Sequence, residues 1–309
     1  MGKTAVLFPG QGSQFVGMGK LLFQEFPEFR SVFQEAEELL PGMKISTLCF
    51  DGPDEDLRLT LNAQPAIFTV SAGAYQIFKK QNLSFDYVAG HSVGEYAALV
   101  AAGVFSFKEG LHLVRKRGEL MYESGVKRQG TMAAVLGLDE RILEQVCLEV
   151  SKTENKIVEI ANLNTPSQIV ISGDPDAVKK AGEMAKEKGA KRIVPLSVSG
   201  AFHSALMEDA ALELGQELDK VKFLDPAVPV VSNVSAKAVK SGLEIKELLK
   251  KQIRKKVRWE ESIRCLIQEG VSLFIEMEPG SVLTGLVKSI DKTVKTAGFK
   301  EIMQGVKSA

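Results

Sequence analysis

The chain has 309 residues, with 39 Lys and Arg against 39 Asp and Glu, so its formal net charge is zero; 45% hydrophobic and 25% charged residues suit an ordinary folded protein. That balance removes the global electrostatic argument for a nucleic-acid partner, and no apolar run is long enough to span a bilayer. Three scattered cysteines, Cys49, Cys147 and Cys265, offer neither a paired metal-ligand spacing nor a disulfide framework, so the expectation is a cytoplasmic monomer without nucleic-acid or membrane partners.

In chain order, residues 4–8 predict a buried strand, too short for the apolar core of a signal peptide. The loop Phe8-Pro9-Gly10-Gln11-Gly12-Ser13-Gln14 follows. It fails the dinucleotide fingerprint, whose third glycine position is Phe15, and it lacks the Gly-Lys-Ser or Gly-Lys-Thr of a phosphate loop. Two readings stay open: a plain turn, or a loop that lends a backbone N–H to an oxyanion hole.

Residues 64–80 predict a helix, 87–90 a strand and 95–102 a helix, the alternation of a parallel sheet covered on both faces. Between the last two lies Gly90-His91-Ser92-Val93-Gly94, the pattern of a nucleophile elbow, in which a serine sits on a sharp strand-to-helix turn. A chain of this length meets that pattern by chance about once in ten. The apolar strand entering it and the helix leaving it are what favour a reactive Ser92 over a serine that merely caps a helix.

From residue 131 the order is strand 131–138, helix 140–151, strands 157–162 and 168–172, helix 177–188 and strand 192–196, the βαββαβ order of a ferredoxin-like unit. Strands at 228–232 and 272–276 and helices at 245–253, 260–268 and 282–290 then resume the earlier style. The expected fold is therefore α/β: an α/β-hydrolase-like large domain with a parallel sheet over residues 1–127 and 198–309, and an inserted ferredoxin-like small subdomain over 128–197.

A serine hydroxyl needs a base, and histidine is the usual one near neutral pH. Of the three histidines, His91 precedes the serine in a turn sharp enough to aim it elsewhere, and His112 sits among Arg115, Lys116 and Glu119 on what reads as a solvated helix face. His203 remains, in the small-residue loop Ser199-Gly200-Ala201-Phe202-His203-Ser204. Too many carboxylates precede it for a third member to be chosen, and a backbone carbonyl serves equally well.

Together with the stretches Thr60 to Pro65, Arg117 to Met121, Ala161 to Asn164, Gln168 to Gly173, Gly200 to Met207 and Val257-Arg258-Trp259, these motifs resemble the malonyl-coenzyme A:acyl carrier protein transacylases over nearly the whole chain. The resemblance implies a transferase that carries malonyl from malonyl-CoA to acyl carrier protein by a ping-pong route, with no tightly bound cofactor. It also implies Ser92 as nucleophile, His203 as base, the backbone N–H groups of Gln11 and Val93 as oxyanion donors, and Arg117 as partner of the malonyl carboxylate. Arginine suits that last task, because its planar fork holds a carboxylate bidentately. Asn162, Phe202 and Gln252 are implied on the substrate side, Gln252 through a backbone carbonyl that orients the histidine. Where the family often has proline before Val-Arg-Trp, this chain has Lys256. Without the resemblance, a thioesterase with the same elbow, or a protein binding nucleotide at Gly10 and Gly12, would be the competing readings. Two basic stretches, Lys250 to Arg258 and Lys186 to Arg192, read as solvated surface or as docking sites for an acidic carrier.

Overall fold

A computed structural model of the chain describes residues 2–198 and 200–307; Ser199, at the head of the histidine loop, lies outside the described residues. The strands are β1 (Lys3–Phe8), β2 (Tyr87–Gly90), β3 (Thr131–Leu136), β4 (Val158–Thr165), β5 (Gln168–Gly173), β6 (Arg192–Pro195), β7 (Val230–Val231), β8 (Ala238–Val239), β9 (Val271–Glu276) and β10 (Lys295–Gly298). They form a six-stranded sheet in the order β10-β9-β1-β2-β7-β8 and a four-stranded sheet in the order β4-β5-β3-β6.

In the larger sheet β1 runs parallel to β2 and β9, β9 to β10 and β2 to β7, while the short edge strand β8 is antiparallel to β7. Side chains alternate across such a sheet, so consecutive residues of β1 feed different cores. Val6 and Phe8 join Val88 under the helices Thr60–Lys80 and Phe107–Lys127, and Ala5 and Leu7 join Tyr87, Ala89 and Trp259 on the other face. Both faces being covered is why β2 is apolar throughout and fully buried.

The smaller sheet is antiparallel, and its elements follow as strand, helix Glu140–Glu154, two strands, helix Pro175–Glu187 and strand. It has its own apolar core, including Val135, Leu143, Ile171 and Ala181. Lys256 Nζ bonds Glu140 Oε1 at 2.9 Å, and Val257 pairs with β4 at Asn162, so the smaller sheet's unit is tied to the rest of the chain at more than one point.

Several boundaries differ from the sequence expectation. The helix expected from residue 64 starts at Thr60 and carries Pro65 in its second turn; the Leu61 carbonyl that Pro65 cannot bond accepts from Arg115 Nη1 at 3.1 Å instead. The strand expected to run to 138 stops at Leu136, because Gly137 adopts φ 75° and turns the chain. The strand expected at 228–232 is the two-residue β7, paired with a β8 that the sequence did not announce.

Candidate active site

The turn after β2 holds Ser92 at φ 53°, a left-handed conformation that costs a serine free energy and therefore needs support. Two glycines make the turn possible by close approach. A Cβ on Gly90 would stand 2.0 Å from the Gly94 carbonyl carbon, and one on Gly94 would stand 2.1 Å from the Phe8 oxygen. A Cβ on Gly10 would meet the His91 oxygen at 2.4 Å, so the first glycine loop lies directly against the elbow. Asn233 clamps it from the other side: its Oδ1 accepts the Ser92 N–H at 2.7 Å and its Nδ2 donates to the Gly90 oxygen at 2.6 Å.

His203 arrives from the loop after β6, and its Nε2 stands 2.7 Å from Ser92 Oγ. Its Nδ1 faces two backbone carbonyls, Gln252 O at 2.9 Å and Lys255 O at 3.1 Å. Carbonyls only accept, so Nδ1 carries the proton and Nε2 offers its lone pair to the serine hydroxyl. The third member left open by the sequence is thus a pair of carbonyls rather than an acid. Lys256 in place of proline leaves this turn intact. Burial, reinforced by the facing Arg117 guanidinium, holds the His203 imidazole down to about 3, so it is neutral at physiological pH. Of the other histidines, His112 is exposed beside Glu217, and His91 turns its Nε2 to Asn164 Oδ1 at 2.9 Å with its ring near Trp259.

Ser92 and His203 open onto a cleft of about 370 Å³ between the two sheets, which Gln11, Val93, Arg117, Asn162 and Phe202 also line. Arg117 is 1% exposed. Its Nη1 donates to Gln64 Oε1 at 2.6 Å, and its Nη2 to Ser92 Oγ and Gln252 Oε1, each at 3.0 Å, while Nε has no hydrogen-bond partner among the described residues. All three acceptors are neutral. A buried cation whose direct acceptors are all neutral is a ready receptor for a carboxylate, which its planar fork can hold bidentately with the opposite charge that the site otherwise lacks at contact distance.

The first loop supplies Gln11, anchored through Oε1 to the Thr60 hydroxyl at 2.8 Å; Thr60 in turn accepts from Gln64 Nε2 at 2.8 Å. Val93 caps the helix Gly94–Ala101. Asn162 sits where β4 touches Val257. Gln252 is not among the residues that line the cleft; it is 1% exposed beneath Ser92, on the buried face at the end of the helix Gly242–Gln252, where its carbonyl meets His203 and its amide meets Arg117. Gln64, Glu95 and Asn233 were not singled out as site residues. Gln64 lies inside a stretch that carries the family likeness, Glu95 directly follows the elbow at the start of the predicted helix, and Asn233 has no signal beyond standing just after a strand.

Residues 6–306 match the family profile described as acyl transferase domain. A malonyl CoA-acyl carrier protein transacylase of Bacillus subtilis is 52% identical over 301 residues, covering 97% of this chain and 94% of that protein. Among solved structures, an acyl-carrier-protein S-malonyltransferase from Bartonella henselae superposes with TM-score 0.94 at 42% identity, covering 100% of this chain and 99% of that one. A malonyl-transacylase in complex with its type II polyketide acyl-carrier protein gives TM-score 0.94 at 38% identity, covering 99% and 100%.

Proposed function

The chain belongs to the acyl transferase family, and from that premise we propose that it moves the malonyl group of malonyl-CoA to the phosphopantetheine thiol of an acyl carrier protein, through an ester on Ser92. The observation that carries this reading is one cleft presenting a 2.7 Å serine–imidazole pair beside a buried guanidinium. The names of the relatives point the same way, and one of them was solved with its carrier. The product would be the malonyl carrier that fatty acid synthesis consumes.

Ser92 Oγ attacks the thioester carbonyl carbon while His203 Nε2 takes its proton. The charge that develops on the carbonyl oxygen is assigned to the backbone N–H groups of Gln11 and Val93; both residues border the cleft beside Ser92. When the carbon–sulfur bond breaks, His203 returns the proton to the coenzyme A sulfur. The carrier's thiol then gives its proton to His203 and attacks the ester carbonyl; as the carbon–oxygen bond to Ser92 breaks, His203 passes that proton to Ser92 Oγ and the free hydroxyl is restored. Arg117 takes the malonyl carboxylate in place of its neutral acceptors, and Asn162 and Phe202 wall the acyl end. Coenzyme A is a substrate here, no resident cofactor is needed, and one copy of the chain supplies every group, as a cytoplasmic monomer would.

For the architecture we read the parallel sheet with its elbow as α/β-hydrolase-like over 1–127 and 198–309. The βαββαβ order and β4-β5-β3-β6 arrangement support a ferredoxin-like reading of 128–197.

A thioesterase would share the elbow and the base but deliver the acyl group to water. Radiolabelled malonyl-CoA incubated with the protein, with and without carrier, separates the two: transfer predicts label on the carrier, and free malonate as the main product would overturn it.

A further inference from the structure

Beneath the nucleophile lies a carboxylate that the chemistry above does not use. Glu95 is 2% exposed, and a single oxygen, Oε2, accepts from Gln252 Nε2 at 2.8 Å and from the Asn233 backbone N–H at 3.3 Å. Burying a carboxylate is costly, and desolvation pushes this one up to about 7 against the opposing hydrogen bonds. An apolar residue would fill the space at less cost, so what the carboxylate does for its two partners matters.

Gln252 must present its amide one way round. Nε2 donates to Glu95 Oε2 and to the Ser92 carbonyl oxygen at 2.9 Å, which leaves Oε1 to accept from Arg117 Nη2 at 3.0 Å. The flipped amide would aim NH2 donors at the guanidinium and its oxygen at two acceptors. The same residue's backbone carbonyl holds His203 Nδ1 at 2.9 Å, so fixing Gln252 fixes both the base and the cation. The second arm runs through Asn233, whose side chain clamps the Ser92 N–H and the Gly90 carbonyl.

We propose that Glu95 is a positioning residue that couples acyl-group selection to nucleophile activation, its Oε2 joining Arg117 and His203 through Gln252, and the elbow through Asn233. The inference rests on the malonyl-transfer reading and deepens it. It separates hydrogen bonding from charge, because both bonds go to one oxygen. In Glu95→Gln the amide oxygen can occupy that place, whereas Glu95→Leu removes the acceptor at nearly constant volume.

The test uses the full chain and measures kcat and KM for malonyl-CoA and for acetyl-CoA, with the active fraction counted as acyl-enzyme formed per molecule. Glu95→Leu is expected to lower kcat/KM for malonyl-CoA about a hundredfold, as misplacement of reacting groups does. Its kcat should fall with both donors through His203, and its KM should rise with malonyl-CoA alone through Arg117, so the malonyl-to-acetyl ratio drops. Glu95→Gln should recover malonyl transfer to within about tenfold of wild type. Gln252→Met, which removes the amide and with it the bond to Arg117, should reproduce the fall in ratio even if Glu95→Leu does not fold. An unchanged ratio in Gln252→Met and in any folded Glu95→Leu, with losses explained by active fraction, overturns the inference and leaves the function standing. A wild type that takes no malonyl group overturns the function itself.

Discussion

An imidazole with two carbonyls at Nδ1 and a hydroxyl at Nε2 has its tautomer chosen for it, and in a buried site it resists charging. The folded value near 3 lies below the ordinary 6.5, so the unfolded chain binds a proton between these values that the folded chain does not. His203 therefore contributes stability that is present above pH 6.5 and is lost as pH falls toward 3. The ring-nitrogen NMR signals of His203 should remain those of the Nδ1–H form at pH 5, and a transition centred near the ordinary value would contradict this. At Arg117, Arg117→Ala should cost malonyl transfer about a hundredfold while acetyl transfer persists or rises, since an acetyl group offers the guanidinium nothing; unchanged malonyl preference in competition assays would remove Arg117 from the role. Ser92 was legible because the glycines around it are dictated by close approach, and His203 because so few histidines compete. Gln64, Gln252 and Asn233 were not legible as a network, since an amide side chain leaves no pattern and Asn233 meets Ser92 from 141 positions away.

At the scale of elements, the elbow depends on how closely its helix approaches β1. Gly94→Ala would press a methyl group into the Phe8 and Pro9 oxygens, at 2.1 and 2.6 Å, with backbone on both sides unable to yield. Urea unfolding should show a loss of about 3 kcal/mol or more, and acylation of Ser92 should vanish with it; a loss under about 1 kcal/mol would mean that the strand and helix separate easily. Ser106→Ala is the contrasting case. It removes the capping box that Ser106 and Glu109 form at the start of the helix Phe107–Lys127, and should cost about 1 kcal/mol while malonyl transfer per folded molecule is retained. The alternation of apolar runs with helices made the parallel sheet readable from sequence, whereas β7 and β8 were too short for any periodicity, and Pro65 hid the first turn of its helix.

Over the whole molecule, the cleft sits where a sheet with its own core has been inserted between β2 and β7, and the loop leaving that insert delivers His203 to the elbow. The separate four-stranded sheet was legible because the element order changes character near residue 131. The two basic stretches now separate. Lys250, Arg254, Lys256 and Arg258 pair with Asp219, Glu208, Glu140 and Glu261, which leaves Lys251 and Lys255 of that stretch exposed, while all of Lys186, Lys188, Lys191 and Arg192 are exposed and, among the described residues, form no ion pair. Transfer to an acidic carrier should therefore slow as salt rises, and reversing Lys188 and Lys191 to Glu should raise the KM for carrier without altering acylation by malonyl-CoA; unchanged KM would place docking elsewhere. All of this presupposes an acyl group carried on one hydroxyl. Intact mass after brief exposure to malonyl-CoA, with wild type and Ser92→Ala side by side, measures that directly. Wild type should gain the mass of one malonyl group and lose it when the carrier thiol is added, while Ser92→Ala gains none. A wild type without the added mass, or a Ser92→Ala protein that acquires it equally, would contradict the account.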